Sequence, residues 1–312
     1  MVLVMCANAG VDRTYEVEGF AAGGFHHPRQ SWISAGGKGL NVARALHRLG
    51  VQVVVTGFLG GFSGDFIFCD LERVGLPCEF SRIAEDSRTT ISILDLTSNA
   101  ITRVDEWGPT VSESEAELLH AQWSELVSYA SQAVISGNPP PGVPGDFYSR
   151  LITRARDCGV PVLLDAHEMA LGDAILAGPE VITPNLEELS WLANHPLSGN
   201  EEVVDYSRDL NAAGVGVVLT TLGAEGAVVS SAAGEAFRVV SPSVQVTSTI
   251  GAGDCAVAGW VAATEWGLDL TDRARWAVAT GSVGCTHPEA AAVDRAEVAL
   301  LVGETVAEDI VM

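Results

Sequence analysis

A chain of 312 residues, 47% of them apolar and 18% charged, is long enough to bury one large core and too apolar to stay disordered. Its 17 basic against 40 acidic side chains leave a formal charge of -23, which argues against nucleic acid or an anionic membrane surface as a partner. Six cysteines without a CxxC pair, and no run of eighteen apolar residues, point to a reducing, cytoplasmic setting and no membrane span.

The first predicted element is a buried strand over Val2–Cys6, because MVLVMCANAG lacks the basic region of a signal peptide. Extended segments follow at Thr14–Glu18 and Ser31–Ser34. Gly36-Gly37-Lys38-Gly39 then opens a helix over Gly39–Leu49, with Val42, Leu46 and Leu49 on one face and Asn41, Arg44 and Arg48 on another. Lys38 is the only lysine, and the other sixteen basic residues are arginines. A lineage bias explains the scarcity but not the placement: an ammonium is a compact charge that fits beside close backbone, where a guanidinium does not. The loop reads either as a structural turn with a solvated lysine or as an anion site at a helix N-terminus.

A strand over Val51–Gly57 and a helix over Asp65–Val74 come next. From Arg88, RTTISILDLTSNAITRVDEW alternates around Thr97-Ser98-Asn99, which signals a hairpin. With the earlier extended segments it predicts a small β-sheet lid, built from residues near 13–34 and 88–106, on one domain spanning 1–312. A turn centred on Ser98-Asn99 sets Arg103 opposite about Leu94, six positions from Arg88 or on the order of 20 Å along an ideal strand.

Helices over Ser112–Tyr129 and Asp146–Cys158 alternate with strands over Ala133–Ser136, Val160–Asp165 and Val181–Thr183. Glu113, Glu115 and Glu117 suit a helix N-terminus, and His26, His27 and His120 lack metal-ligand spacing. His167 follows a strand end, where ligands bind in open α/β sheets. Asn185 and Glu188 form a variant capping box for a helix over Leu186–Ala193; the same pair suits Mg²⁺ held through its water shell. After a helix over Glu201–Ala213 and a strand over Val215–Leu222, Thr249-Ile250-Gly251-Ala252-Gly253-Asp254 leads into a small-residue helix over Ala252–Trp266, and a last helix spans Thr271–Cys285. Asp254 reads either as a cap or as a proton acceptor beside backbone amides that hold a transferring phosphoryl group. The alternation predicts an α/β fold: a Rossmann-like, mostly parallel sheet covered by helices.

Seven segments in fixed order, ANAGVDRTYEVEGF, GGKGLNVARALHRLG, SGNPPPGVP, VLLDAHEMAL, ITPNLEEL, TTLGAEGAVV and TIGAGDCAVAG, span nearly the whole chain. Together they resemble the PfkB/ribokinase superfamily of carbohydrate kinases, in the branch of 1-phosphofructokinases and tagatose-6-phosphate kinases. The resemblance implies a ribokinase-like fold and transfer of phosphate from ATP, with Mg²⁺, to a sugar phosphate. It implies fructose 1-phosphate phosphorylated at C6 first, and tagatose 6-phosphate or fructose 6-phosphate at C1 next. By motif, Asp254 resembles the general base, and the amides of Gly251, Ala252 and Gly253 the anion hole. Asp12, Gly37 and Asn41 resemble sugar-hydroxyl contacts, and Lys38, Arg88 and Arg103 the groups on the substrate's phosphate. Asn138 stands where the family has Ser on the substrate side. Asn185, Thr221, Gly223 and Gly226 resemble the ATP strip, and Glu188 the residue near Mg²⁺. Relatives also suggest a homodimer through paired lids. Thr183 replaces a common Lys and Cys255 a Ser or Thr; Thr183 keeps alive a catalytically weak sensor, while Cys255 reads as packing. A kinase of unphosphorylated sugars is a further alternative.

Overall fold

The computed structural model describes residues 1–310. Its large sheet is centred on β1 (Val2–Cys6), with β4 (Val53–Gly60) and edge strand β5 (Cys78–Ile83) on one side. On the other side lie β8 (Gln132–Ser136), β9 (Val162–Asp165), β10 (Val181–Ile182) and β11 (Val217–Thr221), all parallel to β1. Three antiparallel strands extend that side: β12 (Ala227–Ser231), β13 (Ala236–Val240) and β14 (Val306–Asp309). The chain leaves β1 toward β4 and later returns to β8 on β1's other edge. That reversal opens a crevice at the carboxyl ends of the strands, the usual ligand position in open parallel sheets.

All five residues of β1 are buried, and they alternate between two cores: Val2, Val4 and Cys6 face one, Leu3 and Met5 the other. The first core is covered by α1 (Lys38–Arg48), α2 (Gly61–Arg73), α8 (Ala252–Glu265), α9 (Leu270–Thr286) and α10 (Arg295–Val302). The second is covered by α3 (Glu113–Leu126), α4 (Phe147–Asp157), α5 (Glu168–Ile175), α6 (Leu186–Ala193) and α7 (Gly199–Ala212). Helix α8 is buried continuously from Asp254 to Ala263, which explains its lack of a polar face.

Sequence periodicity does not reveal β5, β12–β14, α5 or α10. Strand β5 is a partly exposed edge, while β12 and β13 are joined by a tight turn with Gly234 in the left-handed region. The expected helix over Ser112–Tyr129 ends at Leu126 and continues as a 3-10 turn over Val127–Tyr129.

A separate four-stranded sheet has the order β3 (Gln30–Gly36), β2 (Gly10–Val17), β6 (Arg88–Asp95), β7 (Ile101–Asp105). It reaches back to Gly10 and on to Gly36, beyond the segments expected at 13–34. The β6–β7 register corrects the hairpin arithmetic: Arg103 pairs with Ser92 and Ile101 with Leu94. Asp95 accepts from the Thr97 amide and the Ser98 hydroxyl, so an Asx turn begins the reversal earlier. Arg103 therefore lies opposite a position four residues from Arg88, about 13 Å along the strand.

Candidate active site

At the amino end of α1, Gly37 adopts φ 122, and a Cβ on Gly39 would lie 2.7 Å from the Cys6 Cβ. Only glycines let the helix start this close to the end of β1, and Lys38 is held between them. Its Nζ lies 3.4 Å from Asp165 Oδ1, at the carboxyl end of β9, while Asp165 Oδ2 accepts from the Ser136 hydroxyl at 2.8 Å. Burial works to lower the Lys38 pKa, but the carboxylates of Asp165, Asp254 and Glu188 outweigh it and raise it. Asp165 is thus a site residue that sequence reasoning missed; its only signal was a carboxylate ending a buried strand.

Asp254 enters α8 just after Gly251, whose φ of 79 turns the chain into the helix. It is 5% exposed, and its Oδ2 accepts from Asn41 Nδ2 at 2.8 Å. Burial, then the charge of Asp165, pushes the carboxyl up to about 6 against the pull of Lys38, Asn41 and His167. Of the three expected amides, that of Ala252 donates to the Thr249 carbonyl at 3.3 Å, and a Cβ on Gly253 would meet nothing within 4 Å. Gly253 therefore faces open space. Cys255 is fully buried and its thiol is pushed up to about 12 by burial, as a packing role requires.

Asp12 on β2 pairs with Thr90 and Ser34, and β6 and β7 bring Arg88 and Arg103 to the same face of the small sheet. Two glycines make room for these side chains: a Cβ on Gly36 would lie 2.1 Å from Asp12 Oδ2, and one on Gly10 2.8 Å from Arg88 Cγ. Arg88 donates to the Asn8 carbonyl at 3.0 Å and to the Thr90 hydroxyl at 3.1 Å, while Arg103 meets Asp105 at 3.1 Å. Burial pushes the Asp12 carboxyl up from its ordinary value against the pull of Arg88, Arg103 and Arg44. The two arginines thus gather around Asp12, whereas Lys38 joins the carboxylates around Asp254.

On the far side, Asn185 and Glu188 form the expected capping box at the start of α6. Glu188 Oε2 accepts from the Asn185 amide at 2.9 Å, and Oε1 meets His167 Nδ1. Burial opposes ionisation of Glu188, but His167, the Asn185 amide and Lys38 outweigh it and lower the pKa. Asn138, at the end of β8, accepts the His167 amide on its Oδ1 at 2.9 Å. Lys38, Asp165, Thr183, Asn185, Glu188 and Gly253 line a chamber of about 60 Å³, and the buried Thr183 hydroxyl has no hydrogen-bond partner among the described residues.

Gly253 also borders a cleft of about 550 Å³ lined by Thr221, Gly223, Gly226, Val244, Ala277 and Ser282, with no charged side chain in its lining. Its lining of small, uncharged residues favours an uncharged ligand group. A larger depression of about 920 Å³ beside Trp191 and His195 borders α6 at Leu186 and Glu187 but is lined by neither Lys38, Asp165, Glu188 nor Asp254, so size does not locate the chemistry.

A buried carboxylate in the first turn of a helix, next to a glycine that borders an uncharged cleft, suits phosphoryl transfer. The chain matches the pfkB family carbohydrate kinase pattern over residues 3–296. It is 35% identical to a 1-phosphofructokinase of Rhodobacter capsulatus over 92% of both chains. It is 31% identical to a tagatose-6-phosphate kinase of Staphylococcus epidermidis over 83% of this chain and 84% of that one. The structure of phosphofructokinase-2 from Escherichia coli in complex with potassium superposes with a TM-score of 0.92 at 26% identity, covering 97% of this chain and 98% of that one. With that match added to the ribokinase-like sheet and the Asp254 centre, the chain belongs to the pfkB family of carbohydrate kinases.

Proposed function

We propose that this chain transfers the γ-phosphoryl group of ATP to a hexose phosphate, fructose 1-phosphate at C6 being the first choice and fructose 1,6-bisphosphate the product. The observation that carries the reading is Asp254, buried, held by Asn41 and next to Gly253 on the border of the cleft. The likeness to a 1-phosphofructokinase supports the first choice. The likeness to a tagatose-6-phosphate kinase supports the second, tagatose 6-phosphate or fructose 6-phosphate at C1.

In this reading Asp12, Gly37 and Asn41 orient the sugar hydroxyls, and Arg88 and Arg103 bind the phosphate that the sugar already carries. Asp254 takes the proton of the attacking hydroxyl; with a pKa of about 6 it is mostly ionised at neutral pH yet basic enough to accept. Lys38 and the Gly251 and Gly253 amides meet the transferring phosphoryl group, a compact anion that a point charge suits. The nucleobase occupies the uncharged cleft along Thr221, Gly223 and Gly226, with Asn185 beside the phosphates. The Glu188 carboxylate, on the wall of the chamber that Lys38 and Asn185 also line, is an oxygen donor that fits hydrated Mg²⁺ with a phosphate chain. Bound there through water by Glu188, the ion would neutralise phosphate charge. The small sheet acts as a lid that excludes water as an acceptor. Its outer face exposes 42% of Ile33 and 57% of Val104, which supports pairing of two lids in a homodimer.

The test is kcat/KM with fructose 1-phosphate, fructose 6-phosphate, tagatose 6-phosphate and free fructose. One phosphorylated sugar should dominate, and Arg88→Ala or Arg103→Ala should raise its KM by about tenfold or more without weakening free fructose. Preference for free fructose would sink the phosphate assignment, whereas tight sugar-phosphate binding without turnover would favour a sensor.

A further inference from the structure

Glu188 is held more firmly than a helix cap requires. The capping box uses its Oε2, on the Asn185 amide, and its backbone amide, on Asn185 Oδ1. Its Oε1 is taken by the His167 imidazole. An ionised carboxylate only accepts, so the shared proton belongs to Nδ1 of His167. His167 is in turn seated from the opposite side, where its backbone amide donates to Asn138 Oδ1 at 2.9 Å. These bonds tie three successive strand ends together: Asn138 after β8, His167 after β9, and Asn185 with Glu188 after β10. The next residue, Glu168, has φ 47, a left-handed conformation unusual for a residue with a Cβ. Such strain persists where the surroundings over-determine it, and here they place the imidazole against Glu188.

We propose that His167 is a positioning residue for the metal–nucleotide side of the site: its Nδ1–H fixes the Glu188 carboxylate, leaving the second lone pair of Oε1 free for a metal-bound water. The inference rests on the kinase reading for the identity of that ligand. Partners that orient a metal-associated carboxylate typically change metal affinity by about 10–100-fold when removed. His167 therefore sets nucleotide and metal affinity and leaves the sugar side alone.

The test titrates Mn²⁺ with a non-hydrolysable ATP analogue into the full chain, by calorimetry and by the Mn²⁺ paramagnetic resonance signal, for wild type, His167→Ala and His167→Asn. The Asn amide can place a donor near the Nδ1 position. His167→Ala should bind the metal–nucleotide pair at least about tenfold more weakly and His167→Asn within about threefold of wild type. Sugar-phosphate affinity should be unchanged in both. Equal affinity in wild type and His167→Ala overturns the proposal, as does His167→Asn binding as weakly as His167→Ala. Should His167→Ala fail to fold, His167→Gln, with its donor reaching toward the Nε2 position, replaces it, and equal binding by the Asn and Gln variants overturns the proposal. Failure of the sugar-phosphate reading would appear separately, as wild type that binds the metal–nucleotide pair but turns over no sugar phosphate.

Discussion

Asp254 carries a cost that follows from its burial. Its pKa rises from 3.8 in the unfolded chain to about 6 in the folded one, so the folded state binds the proton more tightly. Folding stability contributed by this group is therefore greatest below about pH 4, falls as pH rises toward 6, and stays reduced above. The gap corresponds to at most about 3 kcal/mol. Asp254→Asn keeps a partner for Asn41 and removes the buried charge, so it should raise Tm at pH 7.5, with the gain vanishing near pH 4 in a pH series of thermal melts. The same variant should lose turnover by about a thousandfold or more while still binding ATP; near-normal kcat would remove Asp254 from the mechanism. In the wild type, loss of the ionised form should make kcat/KM fall as pH drops through about 6, a profile measurable under saturating nucleotide.

Helix α8 carries Asp254, and its placement depends on how tightly it lies against α9. A Cβ on Gly259 would sit 2.4 Å from both the Thr280 hydroxyl and the Trp276 carbonyl. One of those atoms is backbone, so the helices must separate to admit it. Gly259→Ala should cost about 1–3 kcal/mol by overpacking, despite the better helix propensity of alanine, and should lower kcat by shifting Asp254. A chemical denaturation curve with unchanged midpoint would refute the close contact. The existence of α8 was legible from TIGAGDCAVAG, but its depth was not: a run of small residues does not say how near the neighbouring helix comes. The hairpin carries a similar lesson. Alternation in RTTISILD located β6, while the side chain of Asp95 chose where the chain turned and hence which residue Arg103 faces.

At the scale of the whole molecule, the small sheet presents one face with Arg88, Arg103 and Asp12 and an opposite face with Ile33 and Val104. If two copies pair through the latter, Val104→Asp should shift the sedimentation profile from dimer toward monomer, because a desolvated carboxylate is costly in an apolar interface. An unchanged profile would place any contact between copies elsewhere.

The order of motifs by itself carried the resemblance to the carbohydrate kinase family, which the family match over residues 3–296 bears out, whereas the spacing around Asp254 left that carboxylate either a cap or a proton acceptor. The sequence also located most parallel strands, since residues buried on both faces must be continuously apolar. Only the tertiary structure decided which charges meet. Lys38 lies 3.4 Å from Asp165, a residue 127 positions away, and His167 reaches Glu188 across two strand ends. Such pairings depend on strand order and on the side each loop emerges from, and neither is written in the local spacing of residues.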